Sequence, residues 1–274
     1  MNLKFSVLLS VYYKENSRFL DDSLSSIIKY QTITPNEIII VKDGNLTESL
    51  ESVLTKYISE YPSILKVYGY SINKGLGYAL NYGLKKSSNE IIFRMDSDDI
   101  ADSLRFEKQL KVFQENKNNL AIIGSNIEEF NSIVHDLKRF RNVPSSSLEI
   151  NNKKFYRNPF NHMTVAFLKS PILKCGGYKP MPGYEDYYLW MRVLKEFNGF
   201  NLSENLVNAR VGNGMIARRQ GFVFFTNELK FQRTLLADGL ITNSVFLKNI
   251  FVRLFPRLLP KKVLELIYTK ILRN

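Results

Sequence analysis

Residues Phe93–Asp99 read FRMDSDD, so an apolar run that begins at Ile91 ends in three carboxylates, Asp96, Asp98 and Asp99. The run Ile91–Met95 has the length and composition of a buried strand. Carboxylates gathered at one strand end repel one another at neutral pH, and a fold that collects them needs a compensating charge. A set of hard oxygen donors suits a divalent cation, magnesium or manganese, with coordination places left for other oxygens.

On either side of this stretch, strand-like and helix-like segments alternate. Phe5–Tyr12 is a β-rich run, followed by Leu20, Leu24, Ile27 and Ile28 at helical spacing. Glu37–Val41 predicts a second strand, and Leu50, Val53, Leu54 and Tyr57 one face of a helix. Leu65–Tyr68 predicts a third strand and Gly75–Lys86 a helix opened by glycines. After Ile91–Met95, a helix marked by Phe106, Leu110 and Phe113 leads to a fifth strand over Leu120–Gly124. This rhythm predicts an α/β fold, a central, mainly parallel sheet flanked by helices. Ligands of such sheets bind beyond the carboxyl ends of the strands, so Asp43, in VKDG, is expected in the same crevice as the aspartate cluster.

From about Asn126 the pattern changes to prolines and irregular segments, which predicts loops and short strands around a site. One helix stands out there, with Leu189, Trp190, Val193, Leu194 and Phe197 following Glu185 and Asp186. Beyond Gly221 the chain reads as helical. The expected organisation is a domain over 1–220 and a helical C-terminal extension over 221–274.

Composition narrows the partners. The 274 residues suffice for one large domain with an appended segment. A single cysteine, Cys175, excludes an internal disulfide, and with only His135 and His162 there is no Cys/His framework for zinc. This fits a reducing, cytoplasmic setting. MNLKFSVLLSVYYKEN turns charged too soon for a secretory signal and reads as the first strand. No stretch approaches the roughly 18 uninterrupted apolar residues of a membrane span. The net charge of +12 calls for an anionic partner, a phosphorylated small molecule or a membrane surface. Nucleic acid is disfavoured, because the basic residues lack interleaved aromatic stacking order.

Several chemistries fail on spacing. No Gly-Lys pair occurs, which removes the nucleotide P-loop, and GLGYAL from Gly75 lacks the third glycine of a dinucleotide fingerprint. DSDDIA does not continue as a calcium loop, and the serine-hydrolase elbow is absent. What remains is a carboxylate cluster, a second strand-end aspartate and a glycine-opened helix. That set suits a metal-bound diphosphate.

EIIIVKDGN (Glu37–Asn45), NKGLGYALNYGL (Asn73–Leu84), FRMDSDD, NPFNHMTVAF (Asn158–Phe167), GGY (Gly176–Tyr178) and YEDYYLWMRV (Tyr184–Val193) together resemble the ordered motifs of inverting family 2 glycosyltransferases with the GT-A fold. The likeness is nearest to the bacterial branch that builds O-antigens, capsules and exopolysaccharides, and it covers roughly residues 4–220. It implies a nucleoside-diphosphate sugar donor, with Asp43 on the base and Asp96 and Asp98 or Asp99 on the ribose and a divalent cation. It implies Asp186, paired with Glu185, as the base that deprotonates the acceptor hydroxyl. His162 is a further candidate for metal or phosphate, against a structural reading as a hydrogen-bonded side chain. Lys42, Lys74 and Arg210 read as surface cations, with contact to the diphosphate as the alternative for each, and Lys74 is carried as the candidate contact. Lys42 stands where the family usually has a first aspartate, and the Gln-x-x-Arg-Trp signature of processive synthases is absent, which implies one sugar per encounter. Arg218 and Arg219 are candidates for the phosphate clamp.

The segment from Val245 mixes large apolar residues with Lys248, Arg253, Arg257, Lys261, Lys262, Lys270 and Arg273. Amphipathic helices of this kind lie on anionic lipid, where the resemblance implies a glycan or polyprenyl-diphosphate-linked acceptor on the inner face of the cell membrane; the alternative is that the apolar residues pack back on the domain or form a dimer contact. A sugar-nucleotide-forming nucleotidyltransferase and a catalytically silent membrane-surface module are the alternatives.

Overall fold

A computed structural model describes residues 3–115, 119–211 and 222–254. Its core is one sheet of strand order β3-β2-β1-β4-β8-β6-β9-β5, with β7 paired to β6. β1 (Phe5–Val11), β2 (Glu37–Asp43), β3 (Leu65–Tyr70) and β4 (Ile91–Met95) are mutually parallel. β1, β2 and β4 are buried on both faces, as central parallel strands should be. Period-2 alternation divides their side chains between two cores. Val7, Leu9, Ile38, Ile40 and Phe93 face α1 (Ser17–Ile28) and α2 (Glu48–Glu60), while Leu8, Ile39, Val41 and Ile92 face α3 (Leu76–Lys86).

Helix boundaries follow capping chemistry. The Asn16 side chain accepts from Arg18 N at 2.9 Å and the Thr47 hydroxyl from Leu50 N at 3.4 Å, satisfying free donors at the starts of α1 and α2. At Gly83 a Cβ would lie 2.3 Å from Leu8 Cδ1 and 2.8 Å from Val41 Cγ2, so only glycine lets α3 sit this close to the sheet.

Beyond β4 the sheet is mixed. β8 (Ala166–Leu168) runs antiparallel to both β4 and β6 (Leu120–Phe130), and β6 pairs in parallel with β9 (Asn198–Arg210). The expected fifth strand is therefore longer than its apolar part, and β9 lies where loops and short strands were expected. Both strands carry polar stretches, and register shifts around Asn126 break the alternation that marks a strand in sequence. The short β5 (Ile100–Ala101) pairs antiparallel with β9 and ties the far end of that strand to the aspartate loop.

The remaining elements are α4 (Arg105–Glu115), β7 (Arg139–Arg141), α5 (Ser147–Lys153), α6 (Lys169–Lys174) and α7 (Glu185–Val193); Phe106 of α4 joins the first core, and Leu189 and Trp190 of α7 join the second. α8 (Phe222–Ala237) and α9 (Asn243–Asn249), whose helical path continues to Leu254, pack Phe231, Leu235 and Ile241 against Tyr184, Tyr187 and Tyr188. Among the described residues no helix is long and apolar enough to cross a membrane.

Candidate active site

Strand register explains why distant carboxylates share one sheet edge. Leu9 of β1 pairs with Met95 and Val11 with Lys42, so the residues that follow, Asp43 and Asp96, leave the sheet at the same carboxyl edge. Asp96, Asp98 and Asp99 offer ligand oxygens within 4.8 Å of one another. Burial, then Asp96 and Glu15, pushes the Asp98 carboxyl up to about 7. Burial, then Asp98 and Asp96, holds Asp99 well above the usual carboxylate range. Asp99 Oδ1 accepts from Arg210 N at 2.8 Å, whereas its buried Oδ2 has no hydrogen-bond partner among the described residues. An orphaned buried oxygen among three crowded carboxylates is the donor set a hard divalent cation requires, so these residues fit such an ion.

Part of the compensation is built in. Arg94, 2 % exposed, forms an ion pair with Asp96. The Arg210 guanidinium donates to the Asp98 carbonyl at 3.0 Å and to Asp22 at 3.3 Å, and lies 3.8 Å from the centroid of the Phe19 ring. With its side chain 4 % exposed, Arg210 is not the surface cation its sequence context predicts. Its position at the end of β9, a strand the sequence pattern does not reveal, explains the difference. Arg94 did leave a sequence signal, a lone cation inside the apolar IIFRM.

Asp43 is buried at the end of β2. Its carboxylate accepts from Lys74 N at 2.7 Å, Tyr70 Oη at 2.9 Å, and Asn73 Nδ2 and Gly75 N at 3.0 Å each. It therefore ties the β3–α3 turn to the sheet edge. Gly75 has φ +87°, a left-handed conformation that favours glycine. Lys74 Nζ is exposed, 4.5 Å from the centroid of the Tyr78 ring. Lys42 pairs with Glu51 at 2.8 Å.

α7 opens with Glu185 and Asp186, both placed where the helix N-terminus favours negative charge. Asn158 Nδ2 donates to Asp186 Oδ2 at 2.7 Å. Burial raises the Asp186 carboxyl against the bonds from Tyr187 N and Asn158, and burial also raises Glu185. Glu185 folds over Gly77 of α3, where a Cβ would lie 3.2 Å from its Cγ. That contact brings α7 to the helix opened by the Asp43 turn.

His162 lies outside the acidic group. Its Nε2 is 3.0 Å from Tyr178 Oη, and burial, then Arg94, keeps the imidazole well below its ordinary value. A neutral ring between Tyr178 and Trp190 fits the structural alternative. Arg218 and Arg219 lie outside the described residues.

The sequence and the fold that carry this site have counterparts among known proteins. The sequence model of the family described as Glycosyl transferase family 2 matches residues 6–177. The chain belongs to this family. The glycosyltransferase is 41 % identical to an uncharacterized glycosyltransferase of Haemophilus influenzae, covering 99 % of this chain and 100 % of the relative. It is 38 % identical to the UDP-Gal:alpha-D-GlcNAc-diphosphoundecaprenol beta-1,3-galactosyltransferase of Escherichia coli, covering 99 % and 97 %. Its fold matches a crystal structure of S. aureus TarS in complex with UDP-GlcNAc, at TM-score 0.66 and 19 % identity over 93 % of this chain and 72 % of that one. It also matches the mannosyltransferase PcManGT of Pyrobaculum calidifontis in complex with GDP-Man and Mn2+, at TM-score 0.66 and 14 % identity over 98 % and 75 %. The GT-A-type architecture expected of this glycosyltransferase is therefore present. Asn158, Tyr178 and Arg94, which sequence reasoning gave no role, surround Asp186, His162 and Asp96 in it.

Proposed function

We propose that this family 2 glycosyltransferase moves one sugar from a nucleoside-diphosphate sugar, a UDP-hexose, to a polyprenyl-diphosphate-linked or oligosaccharide acceptor in bacterial surface-polysaccharide synthesis, with inversion at the anomeric carbon. The observation that carries the reading is the cluster of Asp96, Asp98 and Asp99 with its unpartnered Asp99 oxygen, at the same sheet edge as Asp43. The full-length likeness to the named E. coli galactosyltransferase supports the donor and acceptor classes.

In this mechanism Asp43 holds the Asn73–Gly75 turn and presents the donor's base to the end of β2. Lys74 and the pair Arg218 and Arg219 are assigned to the diphosphate. Asp186 accepts the proton of the acceptor hydroxyl as that oxygen attacks the anomeric carbon and the bond to the diphosphate breaks. Burial makes its carboxylate a better base than a solvated one, and Asn158 orients it. Glu185, on Gly77, keeps α7 in register with the donor turn. A manganese or magnesium ion held by Asp96, Asp98 and Asp99 would neutralise the charge growing on the departing diphosphate.

On this reading the reaction takes place at the cytoplasmic face of the membrane, where a lipid-linked acceptor would be met. Leu247, Phe251 and Val252 are 57 %, 67 % and 62 % exposed beside Lys248, an apolar face with a cation, as an anionic lipid surface requires.

Calorimetry with UDP-galactose, UDP-glucose, UDP-N-acetylglucosamine and GDP-mannose, with and without manganese, tests the reading. One UDP-sugar should bind only with metal, and Asp98→Ala/Asp99→Ala should lose that binding. Metal-independent binding would overturn the cluster's assignment, and a product that retains the donor's anomeric configuration would overturn the single displacement.

A further inference from the structure

The C-terminal helices carry a buried polar cluster that the proposed reaction does not use. Glu228 of α8 is fully buried, and its carboxylate accepts from Tyr184 Oη at 2.6 Å, Arg253 Nε at 2.8 Å and Gln232 Nε2 at 2.9 Å. Tyr184 immediately precedes Glu185 and Asp186, and its ring stacks on Phe231 at 4.6 Å. Arg253 also donates to the Tyr156 carbonyl at 2.8 Å, and Asn249, bonded to Gln232 at 3.0 Å, donates to the Phe155 carbonyl at 2.8 Å. Two residues past Tyr156 comes Asn158, the hydrogen-bond partner of Asp186. Both members of the Asn158–Asp186 pair thus sit on segments held by the same C-terminal side chains. Tyr187, donating to the Lys154 carbonyl at 2.6 Å, joins the two segments directly.

Holding the helices together does not require this chemistry. Desolvation of a buried ion pair offsets most of its attraction, and apolar residues of the same volume often do as well or better. What apolar contact lacks is direction. The planar guanidinium of Arg253 fixes Glu228 and the Tyr156 carbonyl at once, with defined angles.

We propose that Glu228 and Arg253 are positioning residues, a polar bracket that fixes Asn158 relative to Asp186 and so aims the Asp186 carboxylate at the acceptor hydroxyl. The inference rests on Asp186 being the base. Tight geometry of a base relative to its substrate is worth orders of magnitude in rate, so a small displacement here is felt in turnover rather than in donor binding.

The test compares Glu228→Leu/Arg253→Met, which removes the bracket and leaves the space filled, with Asp186→Asn. The assay follows sugar transfer from the UDP-sugar that binds in calorimetry to a synthetic N-acetylglucosamine-α-diphospholipid. The double variant should stay folded, with a melting temperature lowered by the Tyr184 and Gln232 donors left unpaired, and keep its donor KM within about twofold. Its kcat should fall about tenfold, with the acid limb of the kcat pH profile displaced. Arg253→Lys, which keeps the charge beside Glu228, should recover part of the loss. Native kcat and a native pH profile in the double variant would overturn the bracket. If that variant does not fold, Tyr184→Phe deletes one hydroxyl and keeps the stacking on Phe231. A severalfold kcat loss at native donor KM then supports the bracket, and native kcat overturns it. Native turnover by Asp186→Asn would instead overturn the base assignment and the bracket together, whereas an inert Asp186→Asn beside a fully active double variant overturns the bracket alone.

Discussion

The two ends of the sheet keep their buried polar groups in different ways. In β3-β2-β1-β4 nearly every inward residue is apolar, and the charged exceptions are held mostly by side chains: Glu37 by Ser6, Lys66 and Ser88, Arg94 by Asp96, and Asp43 by the Asn73–Gly75 turn. In the half built on β6, β8 and β9, buried amides reach across the chain to backbone carbonyls. Asn161 bonds the Ser125 carbonyl at 2.9 Å, Asn201 that of Pro159 at 3.0 Å, and Gln109 those of Ile123 and Thr164. The first half is a set of regular strands whose peptides pair with one another. The second surrounds the proposed acceptor side with irregular backbone, and its peptide groups need side chains to satisfy them. Burial builds a platform, and directional bonds shape the site that stands on it.

The contrast breaks first at Glu37, where a single charged group serves three strands. Burial alone would raise its carboxyl, but Lys66, Ser88 and Ser6 bring it down to about 2. A lowered carboxylate contributes stability that is present above about 4.5 and is lost as pH falls toward 2. Glu37→Gln should cost about 2 kcal/mol at neutral pH, read by denaturant unfolding, and flatten the acid loss. Donor binding should not change, because Glu37 lies at the opposite end of β2 from Asp43. A change in donor affinity would show that the platform and the site are not separable.

A smaller effect sharpens the comparison at the acidic cluster. The folded chain holds protons on Asp98 up to about 7 that the unfolded chain releases near 4, so metal-free stability should fall as pH rises between those values and level off above. Melting curves should show a drop of a few degrees from pH 5 to pH 8, reversed by manganese. A flat profile would mean that Arg94 and Arg210 already neutralise the cluster. The smallest effect is expected outside both halves. Leu247→Ser/Phe251→Ser should weaken sedimentation with phosphatidylglycerol vesicles severalfold while leaving the melting temperature within a degree, since both side chains are exposed. Equal sedimentation of the variant and the native chain would remove the lipid face.

By itself, the sequence determined the parallel half, because a strand buried on both faces and a helix with one apolar stripe each leave a periodic trace. Ile91–Met95 appears at its expected bounds, and Glu37–Val41 is only extended, to Asp43. The carboxylates were legible for the same reason, as charges at the ends of apolar runs. Only the tertiary structure decided what surrounds them. β9 carries Asn201, Ser203, Glu204 and Asn205 in the middle of its span, so no alternation announced it, yet it delivers Arg210 to Asp98 and Asp99. Asn158 meets Asp186 across 28 residues of chain, and Arg253 meets Glu228 across 25. Pairings of that separation have no period to read, and they exist only once the sheet and its helices have brought the segments together.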